Sequence, residues 1–145
     1  MAFFEWDDSY GVGIAEIDRQ HQRLIGLINE LYDAMQQVQD KNTLTSVADE
    51  LETMTSVIDE LIDYCYYHFS TEEEYMLEYA YPGYDKHKKN HGRFVNRIQT
   101  FHRDFEEGKA VLSMEIMHFL RNWWKEHILG TDKKLAPFLN EKGLT

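Results

Sequence analysis

An all-α fold, an antiparallel up-down-up-down four-helix bundle with an N-terminal arm, is predicted by three features of the sequence. Apolar residues recur at helical spacing in four long blocks. Only eight Gly and two Pro occur in 145 residues, which leaves little material for turns. The connections between consecutive blocks are short, and short connections make neighbouring helices antiparallel.

The arm comes first, over 1–17, with Trp6, Tyr10, Ile14 and Ile17 available to pack over the bundle. The first helix is expected at about 18–39, with Leu24, Ile25, Ile28, Leu31, Tyr32 and Met35 on one stripe. The second is expected at about 44–79 and carries Leu51, Met54, Ile58, Leu61, Cys65, Phe69 and Met76 on its apolar face. Tyr81-Pro82-Gly83 ends it, because proline lacks an amide proton and glycine accepts a tight turn. A third helix at about 84–107 presents Phe94, Val95, Ile98, Phe101 and Phe105, and Gly108 marks its stop. The fourth is expected at about 113–129, with Ile116, Phe119, Leu120, Trp123 and Trp124 facing inward. The whole of 1–145 reads as a single domain.

Bulk properties exclude several function classes. A net charge of −11 provides no basic footprint for nucleic acid or an anionic membrane. No stretch approaches the roughly 20 apolar residues that span a bilayer, so no membrane insertion is expected. The N-terminus lacks the basic region and long apolar core of a signal peptide. A lone Cys65 forms no internal disulfide, which fits a cytoplasmic protein. It reads as a small core residue, with no cationic neighbour to form a thiolate.

The chemistry lies in the histidines, at 21, 68, 87, 91, 102, 118 and 127. A buried imidazole needs partners for its ring nitrogens, so histidine is rarely wanted on an apolar stripe. Nevertheless His21 shares the face of Leu24, Ile25 and Ile28, and His68 that of Leu61 and Cys65. His87 and His91 occupy adjacent turns of one face, and His127 lies with Trp123 and Trp124. Glu72 follows His68 by one turn, whereas Glu73 and Glu74 point further round the helix and read as solvated. Asp132 follows Gly130, where the last helix is expected to end and let the side chain curl back. In an antiparallel bundle, the starts of helices one and three meet the ends of two and four. His21, His68, Glu72, His87, His91, His127 and Asp132 therefore converge at one end of the core. His118 is about half a turn out of phase and should face solvent. His102 lies roughly 16 Å along the axis from His91 and reads as a core-edge histidine satisfied by a hydrogen bond.

Five imidazoles and two carboxylates suit Fe, Zn, Mn or Cu, and the lack of a thiolate cluster excludes iron–sulfur chemistry. Seven donors are too many for one metal and suit two. On two octahedral ions, five histidines, two bridging carboxylates and one bridging oxo or hydroxo group leave a single position open. The Glu-x-x-His pairs of carboxylate-rich di-iron proteins have no suitably placed counterpart. A histidine-rich pair with one vacancy favours binding O2 over activating it.

The segments Asp18-Arg19-Gln20-His21, His68-Phe69-Ser70-Thr71-Glu72-Glu73, His87-Lys88-Lys89-Asn90-His91 and Trp123-Trp124-Lys125-Glu126-His127-Ile128, with Asp132, resemble the metal motifs of hemerythrins. The arm from Trp6 through Val12-Gly13-Ile14 is similar to the start of bacterial members. The resemblance covers nearly the whole chain. It implies two iron ions, cycling between Fe2+ and Fe3+, with a bridging oxo or hydroxo group. His87, His91 and His127 would hold one ion, which is coordinatively full, and His21 and His68 the other, which keeps the vacancy. Glu72 and Asp132 would bridge. The implied function is reversible O2 binding for storage or delivery by a monomer, not an enzymatic one. An oxygen- or redox-sensing module is the alternative, and a di-iron peroxidase or nitric-oxide reductase a more distant one. No signalling domain is expected beside the bundle, which places the carrier ahead of the sensor. One departure stands out: Trp124 occupies a place, three before the last histidine, where the family commonly has an aliphatic residue. It reads either as a bulky gate on the O2 pocket or as a large core aromatic.

Overall fold

The computed structural model describes residues 2–39 and 47–145. Among them every regular element is helical. A short 3-10 turn, Asp8–Tyr10, precedes α1 (Ala15–Gln39), α2 (Val47–Glu78) and α3 (Tyr84–Glu106). The fourth rod is made of three pieces without a break: α4 (Met114–Glu126), a π-helical segment (His127–Asp132) and α5 (Lys133–Glu141). The molecule is thus the expected all-α four-helix bundle. The expected start of the second helix at Leu44 lies outside the described residues.

The fourth rod corrects the sequence reading. Gly130 does not stop the helix, and its backbone is not in the left-handed region. The chain widens there by one residue per hydrogen-bonded turn and resumes as α5, where Leu135, Ala136 and Leu139 are buried. Burial of these three residues outweighs the low helix propensity of one glycine, which costs only about 1 kcal/mol relative to alanine.

Two apolar clusters fill the bundle. The larger holds Leu24, Ile28, Leu31 and Met35 of α1, Ile58, Leu61, Cys65 and Phe69 of α2, Phe94 and Ile98 of α3, and Ile116, Leu120 and Trp124 of α4. The smaller gathers Val12, Ile14, Ile17, Met76, Leu135, Ala136 and Leu139 at one end. Leu51, 43% exposed, fails an inward expectation, and Trp123, like Phe119, meets it only in part. Leu51 and Trp123 lie at the margin of a stripe, where a helix turns its face out of the bundle. Tyr67 is the exposed member of the Tyr64, Tyr66 and Tyr67 group.

Side chains fasten the arm. The amide of Asn29 clamps Phe4 at both its N–H and its carbonyl, each at 2.8 Å. Asp18 accepts from the Val12 N–H, and Lys133 donates to the Gly11 carbonyl. Helix α1 consequently starts at Ala15, earlier than the expected Asp18. No helix is long and apolar enough to cross a membrane among the described residues.

The end of α2 sets where α3 begins, and it carries strain. The Tyr81 N–H reaches back to the Met76 carbonyl at 2.8 Å, a helix-closing bond that places Ala80 at φ 54°. An alanine in that left-handed region costs roughly 1–2 kcal/mol. Ala80→Gly is expected to raise unfolding free energy by about 0.5–1 kcal/mol, after the larger entropy of a glycine chain is subtracted. Urea melts of the two proteins at equal metal content check this, and an unchanged midpoint would show the turn to be relaxed.

Candidate metal centre

Each rod contributes to one buried layer between the two apolar clusters. His21 comes from the second turn of α1, and His68 and Glu72 from the last third of α2. His87 and His91 come from the first two turns of α3, and His127 and Asp132 bound the π segment. All seven side chains are buried, none more than 3% exposed.

The π segment is what brings Asp132 into line. Five residues along an α-helix turn the chain by about 500°, so the sixth side chain points about 140° away from the first. A π turn bonds i to i+5 and stacks those two positions. His127 and Asp132 therefore share a face, with Nε2 and Oδ1 3.1 Å apart. This widened turn does the work that the sequence reading assigned to a frayed helix end.

The donors form two overlapping groups whose ligating atoms lie within 4.8 Å of one another. One is Glu72, His87, His91 and His127, and the other is His21, His68, Glu72 and Asp132. Glu72 belongs to both. Its Oε1 is 3.0 Å from His68 Nε2 on one side, and 3.2 Å and 3.3 Å from the Nε2 atoms of His91 and His127 on the other. Asp132 divides its two oxygens. Oδ2 is 2.7 Å from His21 Nε2, while Oδ1 is 3.2 Å from His87 Nε2 and 3.1 Å from His127 Nε2.

The inward and outward ring nitrogens differ sharply. The outward Nδ1 atoms are held across helices: His68 by Gln20 Oε1 at 2.8 Å, His91 by Glu73 Oε2 at 2.9 Å, and His127 by Asn90 Oδ1 at 2.7 Å. Such bonds place the proton on Nδ1 and leave Nε2 as the free lone pair that a metal takes. Inward, Nε2 of His21, His68, His87 and His91, Oε2 of Glu72 and both oxygens of Asp132 have no hydrogen-bond partner. A buried polar atom left so costs about 1–3 kcal/mol. Two donors each about 2.1 Å from a first-row transition ion lie no more than about 4.3 Å apart, so the observed spacing needs only small adjustments to close on one. The residues present fit a pair of metal ions.

Without a cation the layer balances its own charge. Burial pushes the Glu72 carboxyl upward, but His68 and the other imidazoles around it hold it well below the usual carboxylate range. Asp132 behaves alike. Burial lowers the imidazoles, yet the two carboxylates outweigh it at His68 and His127, raised to about 9 and about 10. At His21 burial wins and the pKa falls. Metal uptake at neutral pH therefore displaces protons from this layer.

Glu73 corrects a second expectation. It is not a freely solvated face residue but the partner of His91, with its side chain 23% exposed. Glu74 is exposed as expected. Gln20 and Asn90 were not singled out by the sequence at all. Their bonds cross between helices at separations of 48 and 37 residues, so no local spacing reports them. Rings also hold rings: Phe69 stacks on His91 at 4.1 Å, and Trp123 on His127 at 4.7 Å. His118 is exposed and stacks against Phe3, outside the layer. His102 is bound to Asp59 at 2.7 Å and to Glu106 at 3.1 Å, far along the bundle.

A four-helix bundle with a buried layer of five imidazoles and two carboxylates defines a metal-binding helical protein. Comparison with known proteins narrows the class. Residues 12–139 match the family model of the hemerythrin HHE cation binding domain. The chain is 35% identical over 136 residues to a bacteriohemerythrin of Stenotrophomonas maltophilia (strain R551-3), covering 94% of this chain and 81% of that protein. It is 31% identical to a bacteriohemerythrin of Clostridium acetobutylicum, over 90% of this chain and 97% of that one. A crystal structure of wild-type hemerythrin superposes with a TM-score of 0.83 at 27% identity, covering 95% and 98% of the two chains. The chain belongs to the hemerythrin family.

The cross-helix bonds to Nδ1 generate a prediction. Gln20→Leu and Asn90→Leu are each expected to weaken metal binding by about 10- to 100-fold, while leaving the helix content intact. Competition against a chelator, read alongside circular dichroism, measures both. Full-strength binding in either variant would reduce these bonds to packing.

Proposed function

We propose that this protein binds O2 reversibly at a non-haem di-iron centre held by His21, His68, Glu72, His87, His91, His127 and Asp132, and serves oxygen storage or delivery. The observation that carries the reading is the unequal division of the donors. One group has three imidazoles and the other two, and they share Glu72. Their histidines divide as the family resemblance implies, which supports placing the open position beside His21 and His68. Asp132 is grouped with those two, while its Oδ1 lies 3.1 Å from His127 Nε2 and 3.2 Å from His87 Nε2. Two iron ions with a bridging oxo or hydroxo group supply the electrons that O2 takes on binding and returns on release.

The protein's own part is orientation and exclusion of water. Gln20, Glu73 and Asn90 fix three of the five imidazoles, and Phe69 and Trp123 brace two of them by stacking. The smaller apolar cluster closes the end of the bundle and keeps water from the layer. A carrier is favoured over an enzyme by what else is buried. Among the described residues, every buried acid or base belongs to the seven donors, apart from the Tyr10 phenol in the larger apolar cluster and the Cys65 thiol, which burial pushes up and keeps protonated.

Trp124 forms a wall beside both His68 and His127, with its ring centroid 5.5 Å from each. It is fully buried and stacks on Phe69. Its indole N–H has no partner. Trp124→Leu is expected to change the O2 release or autoxidation rate several-fold, and to cost about 2–4 kcal/mol of stability through the cavity it leaves. Stopped-flow rates that match the parent would make Trp124 packing alone.

The overall reading is tested by loading the protein with ferrous iron and recording optical spectra in argon, in air and again in argon. Two irons per chain and charge-transfer bands that rise in air and fall on deoxygenation are expected. Bands that rise once and persist would remove the carrier role, and a single bound ion would remove the di-iron centre.

A further inference from the structure

The chain carries a net charge of −11, yet one cleft reverses that sign. It has a volume of about 190 Å3 and lies where the start of α3 meets the π segment and α5. Lys86, Lys89, Arg93 and Lys134 line it, and no Asp or Glu does. Helix α3 puts Lys86, Lys89 and Arg93 at i, i+3 and i+7, on one stripe. All four cations are exposed. None has an ion-pair partner among the described residues, as is also true of Lys88, Arg97, Arg121 and Lys142, but these four line one cleft together with no carboxylate among them. In a sequence with 26 acidic side chains, four cations gathered around a cleft whose lining holds no Asp or Glu repel one another, and an acidic body on this face would relieve that repulsion.

The cleft also reaches the metal layer. His87 lines it and is only 3% exposed, with Nε2 3.2 Å from Asp132 Oδ1. Asn90 lines it too, and its Oδ1 is 2.7 Å from His127 Nδ1. A body resting on this face is therefore one side chain away from the three-histidine group. The cations stand exposed around a rim contributed by two helices and do not converge on a buried point. That favours a broad acidic surface over a small ion.

We propose that this face docks an acidic electron-carrier protein, which returns oxidised iron to the ferrous state by way of His87 and the Asn90–His127 pair. The proposal rests on the di-iron reading above. Each carrier molecule loses one electron and one ferric ion gains it, so two carriers are oxidised for each iron pair reduced. No covalent bond in the protein forms or breaks. Attraction between the basic face and the acidic partner sets the encounter rate, which must fall as salt screens it.

The test uses the air-oxidised, iron-loaded protein and a reduced acidic [2Fe–2S] ferredoxin. Stopped-flow loss of the ferric bands gives the rate, and anisotropy of labelled oxidised ferredoxin gives binding without any electron transfer. In the double variant Lys86→Glu/Arg93→Glu, the second-order rate at low ionic strength is expected to fall at least about tenfold, its salt dependence to flatten, and binding to weaken alike. Lys109→Glu, at the other end of the bundle, should stay within about twofold of the parent. Reduced methyl viologen, a small cation, should still reduce all three proteins. If viologen leaves the parent unchanged, the di-iron reading fails and the proposal with it. If viologen succeeds while ferredoxin reacts equally with parent and double variant, or Lys109→Glu slows it as much, docking at this face is overturned.

Discussion

Two carboxylates and five imidazole rings sealed between two apolar clusters are the constraint on which the rest of the structure depends. In such a medium each group demands compensation, because an unpaired buried charge costs several kcal/mol even after relaxation. Three of the outward nitrogens find partners in Gln20, Glu73 and Asn90, the outward Nδ1 of His21 finds none, and the inward atoms face only one another. Five cationic or neutral rings around two anions is a balance that protons can keep for a while and metal ions keep better. The helices must be long and well packed to hold such a layer closed. The apolar faces on either side of it supply that packing, which is why the layer lies between two cores and not at the edge of one.

The π segment shows how a local departure from ideal geometry follows from that constraint. A regular α-helix from Met114 onward would carry either His127 or Asp132 into the layer, not both. One extra residue in the turn brings both inside, and α5 then resumes with Leu135 and Leu139 pointing into the smaller cluster. The widened hydrogen bonds are a cost, and the buried residues on both sides of the segment offset it. Such turns are rare in helices and recur at functional sites.

Much of this was legible in the sequence, for identifiable reasons. The four helices were readable because their apolar stripes are long and interrupted by few turn residues. The convergence of His21, His68, Glu72, His87, His91, His127 and Asp132 was readable because alternation of helix direction converts position along the chain into position along the bundle. The manner of Asp132's arrival was not, since a glycine within a helical pattern signals a stop and a widened turn leaves no comparable mark. Gln20, Glu73 and Asn90 were hidden for a different reason. Each acts on a histidine of another helix, and which polar residue meets which ring depends on helix rotation, which periodicity fixes too loosely. Glu73 is the plainest case: one position beyond Glu72, it points out of the core yet reaches a ring on α3.

The layer also has two unlike sides, and the asymmetry assigns them different traffic. Away from the cleft, Trp124 and Phe69 present aromatic surface and no charge to His68, His91 and His127, which keeps ions from that part of the layer. On the side of His87 and His127, the layer is one residue from an exposed face lined by four cations. A proton, an electron or a charged partner approaches most easily from that side. On the di-iron function proposed above, separating a dry approach from a charged one would let a single buried centre be filled from one direction and reset from the other. This separation needs no moving part. It follows from a charged opening beside His87, on α3 and the π segment, and from the aromatic wall of Trp124 and Phe69 elsewhere around the layer.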